Sequence, residues 1–246
     1  NPGPELVAKL VESTVKQFDA RSGGFGSRPK FPRSGAIDLL LDVASRSSVD
    51  EATREAVRTA ALVTLQKMAQ GGIYDHLAGG FHRYSVDERW VVPHFEKMAY
   101  DNCELLKNYV HAYQTFVQPE SARVAREIVR WMDEWLSDRE QGGFYASQDA
   151  DFSLDDDGDY FTWTRDEAAA ALTAEEMAVA GAYYDIGEIG DMHHDPAKNV
   201  LHVRVRMEDV AKSNGVTVEV ARERLALAKG KLYAAPLKRD TPYIDN

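Results

Sequence analysis

The chain has 246 residues, 44% of them hydrophobic and 10% aromatic, enough apolar material for a packed core and too much for a disordered segment. Its formal net charge of -11 argues against nucleic acid as the main partner, because a phosphate backbone selects for clustered Lys and Arg. The single cysteine, Cys103, excludes an internal disulfide and a Cys-rich zinc site, and no apolar run reaches the ~20 residues that a membrane span needs.

Helical periodicity dominates the chain. Leu6, Leu10, Thr14 and Phe18 predict a first helix with that face inward. Ile37, Leu40, Leu41 and Ala44 mark a second. Val57, Ala61, Leu65 and Met68 mark a third, ended by Gly71-Gly72. Leu105, Tyr109, Ala112 and Phe116 mark a fourth, from about Phe95 to Val117. Pro119 opens a fifth, with Ala125, Ile128, Met132 and Trp135 inward. The capping boxes Thr164–Glu167 and Thr173–Glu176 start two short helices, and a last one runs from about Thr217 to Tyr233.

Three connections carry the same triplet: Gly23-Gly24-Phe25, Gly79-Gly80-Phe81 and Gly142-Gly143-Phe144. Glycine pairs permit positive φ, and the aromatic that follows can plug inward. Helix, glycine turn and helix, repeated every ~50–60 residues, predict an array of helical hairpins of the kind that closes into a toroid. The alternative is that the glycines only end helices. Between the helices, Phe81 to Tyr84 and Arg89 to Val92 predict one β-hairpin, and Phe144 to Ser147 with Tyr160 to Trp163 a second, enclosing the acidic run Asp149 to Asp159. The expected fold class is therefore mainly α, a partial (α/α)6 toroid of one domain with short β-hairpins in its loops. Its helices fall short of the twelve that six hairpins require, so completion by a C-terminal remainder or by another chain is expected.

Reactive side chains are densest from Gly71 to Asn102. His82 and His94 are the candidate acid/base pair, with Glu96 as a base near a helix start and Asp149 as a further carboxylate. Tyr74, Asp75, His76, Arg83, Tyr84, Trp90, Asp101, Asn102 and Asp151 are the candidate substrate-binding residues, offering hydrogen bonds and faces on which a sugar ring stacks. For each histidine taken alone, a structural role is the alternative. Asp149 and Asp151 point the same way if extended, as a glycosidase pair or a cation site would require; a solvated acidic turn is the alternative. Asp191 to Asp195, with His202, lacks the spacing of a metal site and reads as a polar loop. No metal or cofactor is expected.

Three runs carry a family resemblance: GGFGSRPKFP from Gly23, GGIYDHLAGGFHRYSVDERWVVPHFEKMAYDN from Gly71 to Asn102, and GGFYASQDAD from Gly142, followed by YFTWT. They resemble the thioredoxin-domain-containing proteins related to spermatogenesis-associated protein 20, over nearly the whole chain. The resemblance implies a toroid similar to N-acylglucosamine 2-epimerases and six-hairpin glycosidases, of which residues 1–246 are the first part. It places the N-terminal thioredoxin-like domain and the rest of the toroid outside this chain. It implies a carbohydrate ligand, bound or transformed by epimerase- or isomerase-like acid/base chemistry. The low cysteine use fits a reducing compartment, and a cytoplasmic protein is expected. The alternative is a non-catalytic binding scaffold.

Overall fold

The computed structural model describes residues 3–151 and 158–245 of the chain. Among them are helices α1 (Pro4–Lys16), α2 (Ser34–Ser45), α3 (Glu51–Gln70), α4 (Ala99–Phe116), α5 (Pro119–Trp131), α6 (Arg165–Ala171), α7 (Ala174–Tyr184), α8 (Met207–Ser213) and α9 (Val218–Ala234). The strands are two residues each: β1 (Tyr84–Ser85), β2 (Pro93–His94), β3 (Lys97–Met98), β4 (Ser147–Gln148), β5 (Thr162–Trp163), β6 (Asn199–Val200) and β7 (Ile244–Asp245). The fold is mainly α, as the periodicity predicts. α2 packs on α3 and α4, α4 packs on α5, and α1 lies lightly over α2 and α3. One layer thus holds α2 and α4 and the other α1, α3 and α5, the layering of an α/α toroid segment, with the long glycine-bearing connections all following helices of the second layer. No helix among the described residues is long and apolar enough to cross a membrane.

The core of this segment is the apolar stripe that the spacing marks. Ile37, Leu40 and Leu41 of α2, Val57, Ala61, Leu65 and Met68 of α3, and Leu105, Tyr109 and Ala112 of α4 are all buried in one cluster. The first helix departs from expectation. Its inward face is Val7, Val11 and Val15, while Leu6 and Leu10 are exposed. Two apolar stripes share this helix, and the β-branched one fits the groove beside α2 and α3. α6 to α9 pack chiefly on one another around separate clusters, Trp163–Tyr184–Leu232 and Val179–Val210–Ala221. Both predicted capping boxes are formed, at Thr164 and at Thr173.

The strand pairing differs from the sequence reading. The first hairpin is shorter and shifted, pairing Tyr84 with His94 and Ser85 with Pro93. The second does not form: Ser147–Gln148 pairs with Lys97–Met98 on one side and Ile244–Asp245 on the other, and Thr162–Trp163 pairs with Asn199–Val200. The predicted acidic turn within the run Asp149 to Asp159 falls mostly at 152–157, outside the described residues.

The Gly-Gly-Phe turns share one construction. Each begins with an aspartate four residues before the first glycine: Asp19, Asp75 and Asp138. In each, the first glycine's N–H donates to that aspartate's carbonyl, at 2.8, 2.9 and 2.9 Å, and the aspartate's N–H donates to the second glycine's carbonyl. The carboxylate caps the amides two and three residues on, for example Leu77 and Ala78 at 2.9 and 3.0 Å from Asp75. Both glycines of every turn have positive φ, between 71° and 97°.

Candidate functional site

The run from Gly71 to Asn102 divides into an inward half and an outward half. Inward, Lys97 is fully buried and donates to Asp75 at 2.5 Å and to the Gly79 carbonyl at 3.1 Å, with its ammonium 5.1 Å from the Trp131 ring centre. Burial alone would raise the Asp75 carboxyl; the Lys97 charge overcomes it and holds the group at about 2. The same arrangement recurs at Asp19, where Lys30 donates at 2.9 Å and lies 5.2 Å from the Trp90 ring centre. This repetition marks Asp75 and Trp90 as parts of a repeated structural cell. Trp90 is buried and donates through Nε1 to the Ser22 carbonyl at 3.0 Å.

His82 belongs to this inward half. Its Nδ1 lies 2.6 Å from the Phe95 carbonyl and must therefore carry the proton, which leaves Nε2 as the acceptor. His76 is fixed the other way round, with Nε2 3.0 Å from the Gly71 carbonyl. Burial, and then the charge of Lys97 for His82 and of Lys229 for His76, pushes both histidines down to about 3, so both are neutral at physiological pH. The cleft between them, walled also by Tyr160, Phe161 and Tyr233, leaves a water centre only about 30 Å³, room for a water rather than a sugar. Asn102 closes the Phe81 backbone on both sides, accepting from its N–H at 2.7 Å and donating to its carbonyl at 2.9 Å. The Tyr74 hydroxyl bonds Glu127 and faces Arg123. Tyr74, Asp75, His76, His82, Trp90 and Asn102 are therefore all bonded within their own chain.

The outward half is gathered by the β3–β4 register. Lys97 opposes Gln148, so the same antiparallel ladder taken one residue further sets Glu96 opposite Asp149. Lys97 and Gln148 both turn inward to Trp131, and alternation therefore turns Glu96 and Asp149 the other way. Arg83 donates to Glu96 at 2.9 Å, and His94 Nε2 lies 3.8 Å from the same carboxylate oxygen. Tyr84 stacks on His94 with ring centres 5.2 Å apart and on Phe31 at 4.8 Å, giving a partly exposed aromatic shelf beside the charges. Asp101, in the first turn of α4, has one carboxylate oxygen buried without a hydrogen-bond partner. Burial raises its carboxyl to about 6, with the Arg83 charge opposing and Glu96 reinforcing the rise.

Of the expected His82–His94 pair, His82 is buried and the His94 side chain is 42% exposed. Arg83, Tyr84, His94, Glu96 and Asp101 come together, whereas Asp149 accepts from the Ala150 N–H at 2.6 Å and donates its own N–H to the Tyr243 carbonyl. Asp151 is turned to its own loop, accepting from the Gly158 N–H at 3.1 Å. In the third candidate loop, Asp191 accepts from the Val200 N–H at 3.1 Å and His202 lies 3.7 Å from Asp185, both contacts within the fold. Cys103 is exposed on α4. Among the described residues no group of three His, Cys, Asp or Glu is placed to hold a metal ion.

Sequence reading missed Phe31 as part of the shelf. It also missed a larger cleft of about 570 Å³ between α3, α5, α7 and α9, lined by Gln70, Arg123, Tyr183 and Lys229 among others. These residues stand on separate helices without a shared motif, so no local signal marks them.

No family model matches the chain. Among curated proteins, mouse spermatogenesis-associated protein 20 is 35% identical over 264 residues, covering 98% of this chain and 33% of that protein. The human protein of the same name is 35% identical over 252 residues, 93% of this chain and 32% of that protein. An uncharacterised Caenorhabditis elegans protein is 32% identical over 268 residues, all of this chain and 36% of that one. The chain spans about a third of the length of these relatives. Among solved structures, cellobiose 2-epimerase from Spirochaeta thermophila is 18% identical with a TM-score of 0.49, over 59% of this chain and 39% of that one. A sugar epimerase from a ruminal bacterium is 12% identical with a TM-score of 0.48, over 91% and 53%. Likeness of fold does not transfer a reaction. Over nearly its whole length, and across the third of those proteins that it spans, the chain belongs to the family of spermatogenesis-associated protein 20.

Proposed function

We propose that the outward face carrying Arg83, Tyr84, His94, Glu96, Asp101 and Asp149 binds a carbohydrate. The observation that carries this reading is the Arg83–Glu96–His94 cluster beside the Phe31–Tyr84–His94 shelf, and the β3–β4 register continued by one residue adds Asp149 opposite Glu96. Paired carboxylates accept hydrogen bonds from vicinal hydroxyls, the guanidinium donates to ring or hydroxyl oxygens, and the aromatic shelf takes the apolar face of a sugar ring. Chemistry on that sugar, of the epimerase or isomerase class, falls to Glu96 and Asp149 as proton acceptors and Asp101 as donor. A carboxyl held near 6 by burial keeps its proton longer than an exposed neighbour does. His82 takes no part, because it is buried and the cleft beside it has room for a water rather than a sugar.

The test is a titration of the isotopically labelled chain with a panel of neutral mono- and disaccharides, followed by backbone NMR. Shifts centred on residues 83–84, 94–101 and 149 are expected. Shifts confined to other surfaces, or none at tens of millimolar sugar, leave the non-catalytic scaffold as the reading.

A further inference from the structure

The cleft of about 570 Å³ where α3, α5, α7 and α9 meet is separate from the outward face and shares no residue with it. Helical spacing brings its lining together from separate elements. Gln66 and Gln70 lie one turn apart on α3, and Leu225 and Lys229 one turn apart on α9. Leu62, Val63, Val203 and Leu225 give the cleft an apolar wall, while Gln66, Gln70 and Tyr183 bring polar groups that make no side-chain hydrogen bond among the described residues.

The charges at this cleft are unevenly matched. Arg123 is fully engaged: it donates to both carboxylate oxygens of Glu120 and to Glu127, which also takes the Tyr74 hydroxyl. Lys229 is not. Its side chain is only 27% exposed, yet its ammonium comes no closer than 3.6 Å to a carboxylate, that of Glu127, and makes no hydrogen bond among the described residues. Burial lowers its pKa, with Glu127 opposing and the charges of Arg123 and Arg130 reinforcing the fall. Arg130 donates to the Leu77 and Ala78 carbonyls and has no carboxylate partner among the described residues. Asp75, which also acts on Lys229, is already matched by Lys97. Lys229, Arg123 and Arg130 against Glu120 and Glu127 thus leave one positive charge in excess, in a chain whose formal net charge is -11.

We propose that this cleft binds a small organic monocarboxylate, with its carboxylate on Lys229 and its apolar body against Leu62, Val63, Val203 and Leu225. An ammonium has three donors and no acceptor, so an oxyanion is the group that completes it. The single excess charge selects a monoanion, because a dianion would need a second unmatched cation. The apolar wall selects the body of the ligand, and the volume lies within the range of small-molecule sites.

Sodium benzoate and benzamide, alike in shape and different in charge, are the probes. Titrated into the isotopically labelled chain, benzoate is expected to saturate with amide shifts centred on residues 62–70, 183 and 225–229. Benzamide, inorganic phosphate and gluconate are each expected to bind at least tenfold more weakly. Lys229→Met is expected to bring benzoate down to the level of benzamide and to leave benzamide itself unchanged, a split that a general loosening of α9 would not produce. The comparison of probes on the unaltered chain stands even if that variant fails to fold. Equal affinity for benzoate and benzamide, shifts centred elsewhere, or none at tens of millimolar benzoate would overturn the proposal. Phosphate or gluconate binding as tightly as benzoate would overturn it too, by assigning the cleft to an inorganic anion or to a hydroxylated acid.

Discussion

Two regions drawn from one stretch of sequence behave in opposite ways. The inward half of residues 71–102 spends its polar groups on its own backbone: Asp75 on a turn and on Lys97, His76 and His82 on carbonyls, Asn102 on Phe81. The outward half places Arg83, His94 and Glu96 at the surface, beside Asp101, one of whose carboxylate oxygens is buried and unbonded. Density of reactive side chains in a sequence is therefore no measure of a site. Such a stretch can equally be scaffolding for loops with too little apolar material to hold themselves, and the ladder alternation decides which residue is which.

The difference can be broken most forcibly from the inside. Lys97→Met leaves the Asp75 carboxylate buried without its cation, and a loss of roughly 3–5 kcal/mol in urea unfolding is expected. A loss below ~1 kcal/mol would show that the pair is not the strut described. Gly80→Ala forces a left-handed alanine against the Trp131 indole, and a cost of about 2–4 kcal/mol is expected, whereas Gly143→Ala in the open third turn should cost only about 1–2 kcal/mol. Equal costs at the two glycines would erase the distinction between filled and open cells.

Acid sharpens the same comparison. His76 and His82 are depressed to about 3 in the folded chain, below the ~6.5 of an unfolded histidine. The unfolded chain thus binds more protons between those values. The stabilisation is complete above ~6.5 and is lost as pH falls toward 3, at about 1.4 kcal/mol per pH unit for each histidine. Stability should fall between pH 6.5 and 4.5, less steeply below pH 6, where the raised Asp101 carboxyl takes up a proton in the folded chain, and replacing His82 with Gln should remove about 1.4 kcal/mol per pH unit from that slope. An unchanged slope in that variant would mean that His82 is not held neutral.

Much of the fold was legible from sequence, and the reasons are local. The stripes Ile37–Leu40–Leu41–Ala44 and Val57–Ala61–Leu65–Met68 recur at helical spacing and are buried as that spacing requires. The face of α1 was not legible, because its leucine and valine stripes are equally apolar and only the groove beside α2 and α3 distinguishes them. The Gly-Gly-Phe repeat was legible, whereas its aspartate four residues earlier passed unnoticed although it defines each cell. The strand order β3–β4–β7 joins segments about 50 and 100 residues apart, and no local pattern encodes such a register. Glu96 and Asp149 were candidates on chemistry; that Lys97 and Gln148 beside them pair across the sheet comes from the register alone. The same long-range information turns His82 inward, against the expectation drawn from its sequence neighbours.

The smallest expected effect on stability is also the most telling one for function. Glu96→Gln removes a half-exposed ion pair with Arg83 and should change unfolding free energy by less than ~1 kcal/mol. Calorimetric titration of that variant with whichever saccharide binds the unaltered chain most tightly tests the central claim most directly. The account predicts at least a tenfold loss of affinity at nearly unchanged stability. An affinity equal to that of the unaltered chain would contradict it.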